Sequence, residues 1–541
     1  MKRNKEAFRS WKAIANYFGR SERTVRRWEA LEGLPVHRHQ HRTGARIFAR
    51  KPELDAWFSA RTHGTEPAPG STLCLALIPF DFFSAEPSEA FIQDAFCEDI
   101  VGDLSGLTAI SLISYASAKR LPQTQPALLD TITSLRVDYY IEGSIRILSE
   151  QASVNVRVIN ASEQTVAWSA QYCESRPDWQ ALRQKVVADL ITSLPLANID
   201  AQLFPQHKAI LHNQTAWEYL HKARNASLQW QPEAISQAIT LLQAASELVG
   251  NNPLIMAQLG RVYLQQRESG ADCSAAPIEK ASAILKRLRA QQPHAFFTLS
   301  LGGWLDYMKG EINEAIDTLR QALALQPNDP DTLGLLSNCY LVSGQSELAW
   351  PFIQTLQVVD PLTPLSRCMP GYYRLMTGDF DGAIGPYQQM LTMAPSNPLA
   401  RLFLVWALAM NEATDAVVSQ CEGFLPSQRN TLVASLAFAL CDGLLGHQGG
   451  LTLTTVQADE AAANAMLARF TAFAFAGCGD IECATHWLRR AFELGFWPYP
   501  FMHQHDRYFR PYADYEPLKQ LMVEMEKKWR AQMKTDLSLD A

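Results

Sequence analysis

Four prolines, Pro293, Pro327, Pro361 and Pro395, stand 34 residues apart. Two further series keep the same interval: Gly310, Gly344 and Gly378, and Ala315, Ala349 and Ala383. Three residue types locked to one interval at fixed offsets mean that one supersecondary unit is stacked repeatedly, with each unit burying its apolar face only against its neighbours. The offsets give each residue a task. A small residue at Gly303, Ser337 and Gly371 lets the first helix of a pair approach its neighbour, the alanines sit where the second helix packs close, and proline stops that helix. Looser copies flank these units. Trp217, Ala238 and Ala245 mark one, with a few extra residues around Trp230. Leu259, Gly260, Tyr263 and Ala281 mark another, with an insertion near 268–276 expected to be a loop. Gly479, Ala484 and Ala491 mark a third near the C-terminus. Residues 398–450 keep helical character but lose the register. A last helix, about Glu516 to Met533, is expected to end the array as a solvated cap.

The interval, and the segment GDFDGAIGPYQQMLTMAPSNP (378–398), resemble the tetratricopeptide repeat. The resemblance implies an α-solenoid over residues 213–535 whose groove takes a peptide or a protein partner; a rigid spacer is the alternative. The one His/Asp cluster of this region, HQHD (503–506), lies among Tyr499, Phe501, Tyr508 and Phe509 and reads as packing or capping rather than a metal or catalytic centre.

Charge separates the two ends of the chain. Residues 1–65 hold 15 Lys/Arg and 6 Asp/Glu, a formal +9, whereas the whole chain is −7, leaving −16 for residues 66–541. A basic module on an acidic body is the footprint of a polyanion-binding head, because neutralising phosphates releases condensed counterions. The head has folding signals of its own. Trp11, Ile14, Ala15 and Phe18 fall on one face of a helix that Ser10 can cap. Gly19 supplies a turn, Ser21 is a second cap, and a helix from about Glu22 stops at Gly33 with Pro35 beyond. On that second helix Val25 and Trp28 share one side, while Arg23, Arg26 and Arg27 share the other. A hairpin, Val36–His41 and Arg46–Ala49, follows around Arg42-Thr43-Gly44, and Pro52 opens a third helix carrying Leu54, Trp57 and Phe58.

The stretch from FRSWKAIANYFGRSERTVRRWE through GLPVHRH to IFARKPELDAWF resembles the winged helix-turn-helix of the MerR and excisionase type. The resemblance implies double-stranded DNA as partner, with the second helix in the major groove and the wing on the flanking backbone. The residues expected at DNA are Arg20, Ser21, Arg23, Thr24, Arg26 and Arg27 in the helix region, and Arg38, Arg42 and Arg46 in the wing. His37, His39 and His41 alternate along one strand and, without Cys or carboxylates beside them, read as a polar strand face rather than a metal site.

Residues 62–71 have linker composition. Residues 72–175 read as an α/β domain in the order strand, helix, strand, helix, strand, strand: LCLALIP (73–79), a helix from about Glu89 to Gly106, TAISLISY (108–115), a helix near 128–135, YYIEGSIRIL (139–148) and VNVRVIN (154–160). LALIPF, VDYYIEGSIRI, VNVRVINA and VAWSAQY resemble the domain like the amino-terminal part of TolB, which implies an interaction or sensing module. Ser144 lacks the glycine pattern of a nucleophile elbow and reads as a strand residue. A helical connector is expected over 176–212.

No apolar stretch reaches the ~20 residues that span a bilayer, and the basic N-terminus lacks the hydrophobic core of a secretory signal. Ten scattered cysteines suit a reducing cytoplasm. No phosphate-cradling or dinucleotide motif and no catalytic constellation is visible, so neither a cofactor nor a metal nor enzymatic activity is expected. The chain is thus expected to be mainly α and multidomain: a winged helix-turn-helix on residues 1–61, a small α/β domain, and a solenoid of helix pairs. Its expected role is a cytoplasmic, bacterial DNA-binding transcriptional regulator, with homodimerisation a reasonable expectation and no membrane partner. The alternatives are an interaction scaffold whose basic head docks an acidic protein, and an enzyme hidden in residues 73–173.

Overall fold

The computed structural model describes residues 7–8, 10–11, 14, 17, 34–41, 44–51, 72–122, 124–148, 151–175, 178–195, 213–447 and 450–539. The chain divides into two compact units, 1–71 and 72–541. It is mainly helical, with two small sheets among the described residues.

In the first unit β1 (Ala7–Phe8), β2 (His37–His41) and β3 (Gly44–Arg50) form an antiparallel sheet in the order β1-β3-β2. The hairpin forms where expected, with His41 opposite Gly44 and His37 opposite Phe48. Strand β1 was not foreseen; it pairs Ala7 with Arg50 and Phe8 with Ala49. Ile14, Leu34 and Ala49 are buried, with Phe8, Trp11, Tyr17, Val36 and Ile47 packed around them. Trp11, Ile14 and Tyr17 are helical and spaced by three, so they share a face. Ala15, Phe18, Val25, Trp28, Leu54, Trp57 and Phe58 lie outside the described residues.

The second unit opens with a sheet of β4 (Leu73–Leu77), β5 (Asp81–Phe83), β6 (Ile110–Leu112), β7 (Tyr139–Leu148), β8 (Gln151–Asn160) and β9 (Thr165–Ser175). Its order is β6-β4-β7-β8-β9, with β5 beside β7. The β6-β4-β7 portion is parallel and needs crossovers, which the helices Phe91–Leu104 and Gln125–Ser134 supply. Strand β5 also runs parallel to β7, and β7-β8-β9 form an antiparallel meander. Two details differ from the expected order. Only Ile110–Leu112 of TAISLISY is strand, because the Ser114 hydroxyl accepts from the Ser117 amide and starts a helical turn. VAWSAQY is a further strand, β9. The connector expected over 176–212 begins as a helix, Trp179–Ser193, that belongs to this core: Leu182, Val186 and Leu190 are buried and Trp179 sets its edge on Phe96 at 5.8 Å.

Helix pairs follow: Gln214–Ser227 with Pro232–Val249, Pro253–Glu268 with Ala276–Gln291, Phe296–Met308 with Ile312–Leu325, and Pro330–Val342 with Ser346–Val359. They continue with Leu365–Met376 and Phe380–Met393, Pro398–Met410 and Thr414–Glu422, Leu432–Leu445 and Thr455–Ala463, and Ala465–Gly477 and Ile481–Glu493. The expected loss of register over 398–450 is corrected here. First helices start at Leu365, Pro398, Leu432 and Ala465, so the spacing persists while the marker residues change. Close approach explains the markers. A Cβ on Gly303 would lie 2.5 Å from Leu319 Cγ, and one on Gly371 would lie 2.9 Å from Tyr387 Cζ. Ala315, Ala349 and Ala383 are fully buried.

The turn inside each pair is left-handed at one residue: Gly310, Gly344 and Gly378, with φ of +77°, +79° and +84°. The next two 34-residue steps carry Glu412 (φ +58°) and Gly446 (φ +71°). Against these turns runs the C-terminal segment. Side chains at Gly310 would meet the backbone of 493–495, at Gly344 Pro498, Pro500 and Trp529, and at Gly378 the His505 ring. Trp497 N donates to Val342 O (2.8 Å), Trp529 Nε1 to Gly344 O (3.1 Å) and Arg507 Nη1 to Ala409 O (2.8 Å), which also accepts from Glu412 N (3.1 Å), so the strap bonds carbonyls at the ends of three first helices. Arg507 also pairs with Glu412 at 3.0 Å. The HQHD cluster serves this strap: Asp506 Oδ2 accepts from Phe509 N at 2.7 Å. The final helix, Glu516–Leu539, therefore does not simply cap the array; it buries Leu518, Leu521 and Met525 and lays Trp529 across a central turn.

Gly344 and Gly446 share a backbone conformation, but only Gly344 is covered. Gly446→Ala is expected to cost about 1 kcal/mol for the left-handed residue, and Gly344→Ala about 1–3 kcal/mol more for displacing the strap. Urea unfolding of the two variants measures the difference; equal losses would show that the strap does not depend on this turn.

Candidate functional site

The residues expected at DNA divide sharply. Arg20, Ser21, Arg23, Thr24, Arg26, Arg27 and Arg42 lie outside the described residues. Arg38 and Arg46 lie on the hairpin, where Arg38 is opposite Ile47 and Arg46 is opposite His39. The two arginines therefore occupy alternate positions of the pleat.

In the second unit the first helices of successive pairs line a cavity of about 1140 Å³. Helices Phe91–Leu104 and Trp179–Ser193 of the α/β domain close one end, and Arg469 and Phe496 stand on another wall. The α/β domain is held there by buried polar contacts. Asn328 Nδ2 donates to Ile110 O (3.0 Å), Ser117 Oγ donates to Asp360 Oδ1 (2.8 Å), and Ser114 and Thr363 bond the same carboxylate. Burial raises the Asp360 pKa even against these hydroxyls.

Charges at the α/β end are matched. Arg183 pairs with Asp99 and Asp103, both at 2.9 Å. Asp99 also accepts from Trp217 Nε1 (2.9 Å) and faces the buried His221 at 3.3 Å. Burial works against both charges, yet His221, Arg183 and Arg224 hold Asp99 far below the ordinary carboxylate range, and Asp99 and Glu98 hold His221 above the ordinary imidazole value. Further along, Arg261 Nη2 meets Asp331 at 2.6 Å while its guanidinium lies over Trp304 at 5.3 Å.

The other wall is different. Arg469 is 3% exposed, and its guanidinium carbon is 4.5 Å from the Tyr372 ring centroid, 5.0 Å from Phe470, 5.2 Å from Trp406 and 5.4 Å from Phe496. Its Nη1 donates to Tyr372 Oη, and its Nε has no acceptor among the described residues. Also lining the cavity, Glu268 accepts from Trp304 Nε1 (3.1 Å), and burial pushes its pKa up to about 7. Sequence reasoning missed both residues. Glu268 was placed at the start of a loop but ends a helix. Arg469 did carry a signal, being the one charge in the apolar helix AMLARFTAFAFAG, since a lone buried charge is costly unless something answers it. Among the described residues no group of three His, Cys, Asp or Glu is placed to hold a metal, and no helix is long and apolar enough to cross a membrane.

With this geometry in view, residues 71–190 match the family described as HilA/YgeH-like transcriptional regulator, second domain. That span takes in the whole sheet and most of the helix Trp179–Ser193, the same region that carries the TolB-like motifs. The chain is 23% identical over 174 residues to "Putative adenylate cyclase 3" of Rhizobium meliloti (strain 1021), covering 32% of this chain and 30% of that protein. It is 25% identical over 221 residues to cellulose synthase operon protein C of Pseudomonas fluorescens (strain SBW25), covering 38% and 17%. The chain thus spans less than a third of the length of these curated relatives. A solved tetratricopeptide repeat protein from Parabacteroides merdae ATCC 43184 is 14% identical, covering 52% of this chain and 99% of that one with a TM-score of 0.33.

The raised Glu268 pKa sets a sign for stability. Its folded value, about 7, exceeds the ordinary 4.5, so the folded state favours the neutral acid. That contribution is fully present below pH 4.5 and is lost as pH rises towards 7. Glu268→Gln is expected to leave stability near pH 4 unchanged and to raise it at pH 8 by ~1–2 kcal/mol, allowing for solvent screening. Thermal melts of both proteins at the two pH values check this; a variant less stable at pH 8 would contradict it.

Proposed function

We propose that this protein is a DNA-binding transcriptional regulator. Residues 1–65 form its DNA-binding head, and the α/β domain and solenoid receive a signal or partner. The observation that carries the reading is the match of residues 71–190 to a domain of transcriptional regulators, directly following a segment of charge +9. A regulator domain behind a polyanion-binding head supports DNA as the ligand of that head. The reading places Arg20, Ser21, Arg23, Thr24, Arg26 and Arg27 in the major groove and Arg38, Arg42 and Arg46 on phosphates. It further places the protein in the cytoplasm, without enzymatic activity, as a homodimer that grips two half-sites, since one small head buries limited surface.

Selection of bound duplexes by the full-length protein, followed by gel shifts, tests the reading. Arg23→Ala or Arg27→Ala is expected to cost ~1–3 kcal/mol on selected sites and much less on random duplex. Arg42→Ala and Arg46→Ala are each expected to flatten the dependence of log K on log salt by about one unit. Failure to enrich any duplex, with retention of an acidic protein partner instead, would favour the scaffold reading.

A further inference from the structure

Among the described residues, one arginine of the cavity has no carboxylate partner. Four arginines line it, and three have carboxylates: Arg183 has Asp99 and Asp103, Arg224 has Asp99 at 3.7 Å, and Arg261 has Asp331. Arg469 has none within ion-pair distance among the described residues, although it is the most buried of the four. Arginine does not escape burial by losing its proton. Four aromatic rings cover the guanidinium, and its remaining capacity is the planar, two-pronged donor edge that matches a carboxylate.

We infer that the cavity is a binding site for a small organic monoanion, a carboxylate on a flat apolar body, with Arg469 taking the carboxylate and Phe496, Phe403, Met369 and Trp304 lining the space for the body. The single uncompensated charge argues for one negative charge on the ligand. The other three arginines of the cavity are already paired with carboxylates, so the second charge of a phosphate dianion would find no free arginine among the described residues. The volume, about 1140 Å³, and the mainly aromatic and aliphatic walls suit a small molecule with one polar end. The inference deepens the reading of the second unit as the part that receives a signal and rests on that reading, yet binding is measured without DNA, so its failure leaves the gel-shift result standing.

Isothermal titration of the full-length protein with 4-phenylbutyrate and with its neutral amide decides the matter on the native chain. The acid is expected to bind, and the amide to bind at least about tenfold more weakly. Arg469→Met is expected to remove the preference for acid over amide. Arg469→Lys, which keeps the charge and loses the fork, is expected to fall between. Should the methionine variant fail to fold, the acid-amide contrast on the native protein still decides. Equal binding of acid and amide would overturn the inference. So would tighter binding of inorganic phosphate, or retention by a hexapeptide with a free C-terminus when the small acid does not bind.

Discussion

The C-terminal segment lies against the solenoid at three turns that lack a side chain, Gly310, Gly344 and Gly378, where it presents backbone, then Pro498, Pro500 and Trp529, then the His505 ring. A Cβ at any of these turns would stand within 3 Å of the strap, closer than real side chains pack. The left-handed turn and the contact push the same way, since the first disfavours a Cβ and the second leaves no room for one. Once seated, the strap donates to the carbonyls of Val342, Gly344 and Ala409. It also carries Phe496, whose N donates to Ala491 O, beside Arg469, so one of the four rings around that guanidinium comes from the strap and the other three from solenoid helices. The fourth turn carries Glu412 instead of glycine. Contact passes to the long side chain of Arg507, which spans the gap a Cβ requires.

The α/β domain is tied to the same solenoid by a different device. Its first strand and helix offer hydroxyls and carbonyls to Asn328 and Asp360, which lie just beyond the ends of two second helices. A buried carboxylate held by three hydroxyls and no cation is costly to misplace, because any shift leaves it unbonded in a dry site. Such a contact contributes little net stability but fixes one docking geometry. The domain that ends the cavity is therefore set in register with the repeats that line it.

How much of this could be read from sequence follows from what each feature depends on. Gly310, Gly344, Gly378 and the alanines answer a local constraint, so they recur at one interval and were legible. Residues 398–450 obey the same geometry with bulkier answers: Val417 stands where alanine would be, and Glu412 where glycine would be. A reading keyed to residue identity lost a register that the backbone keeps. Strand β6 is short because Ser114 turns the chain, a capping choice that β propensity conceals. The strap, the docking at Asp360 and the cavity depend on residues hundreds of positions apart, for which a single sequence carries no marker beyond a charge in the wrong company, as at Arg469. For the head, the faces, turns and charge of its second helix remain a sequence reading, and the structure adds the sheet and the Ile14, Leu34 and Ala49 core.

Burial and charge would keep the two proposed anion sites, one on the head and one in the cavity, apart. Beyond the head the protein carries −16, so a duplex approaching the solenoid is repelled rather than held. The groove arginines do not reverse this, since Arg183, Arg224 and Arg261 spend their charge on carboxylates a few ångströms away. Arg469 keeps its charge but lies beneath aromatic rings, where a polymer of phosphates cannot reach it. Screening falls off steeply inside such a site, so the same guanidinium that is invisible to DNA acts at nearly full strength on an ion small enough to enter. On the two proposed readings, selectivity between the ligands would come from size and access, and the acidic body would sharpen it by repelling a polyanion.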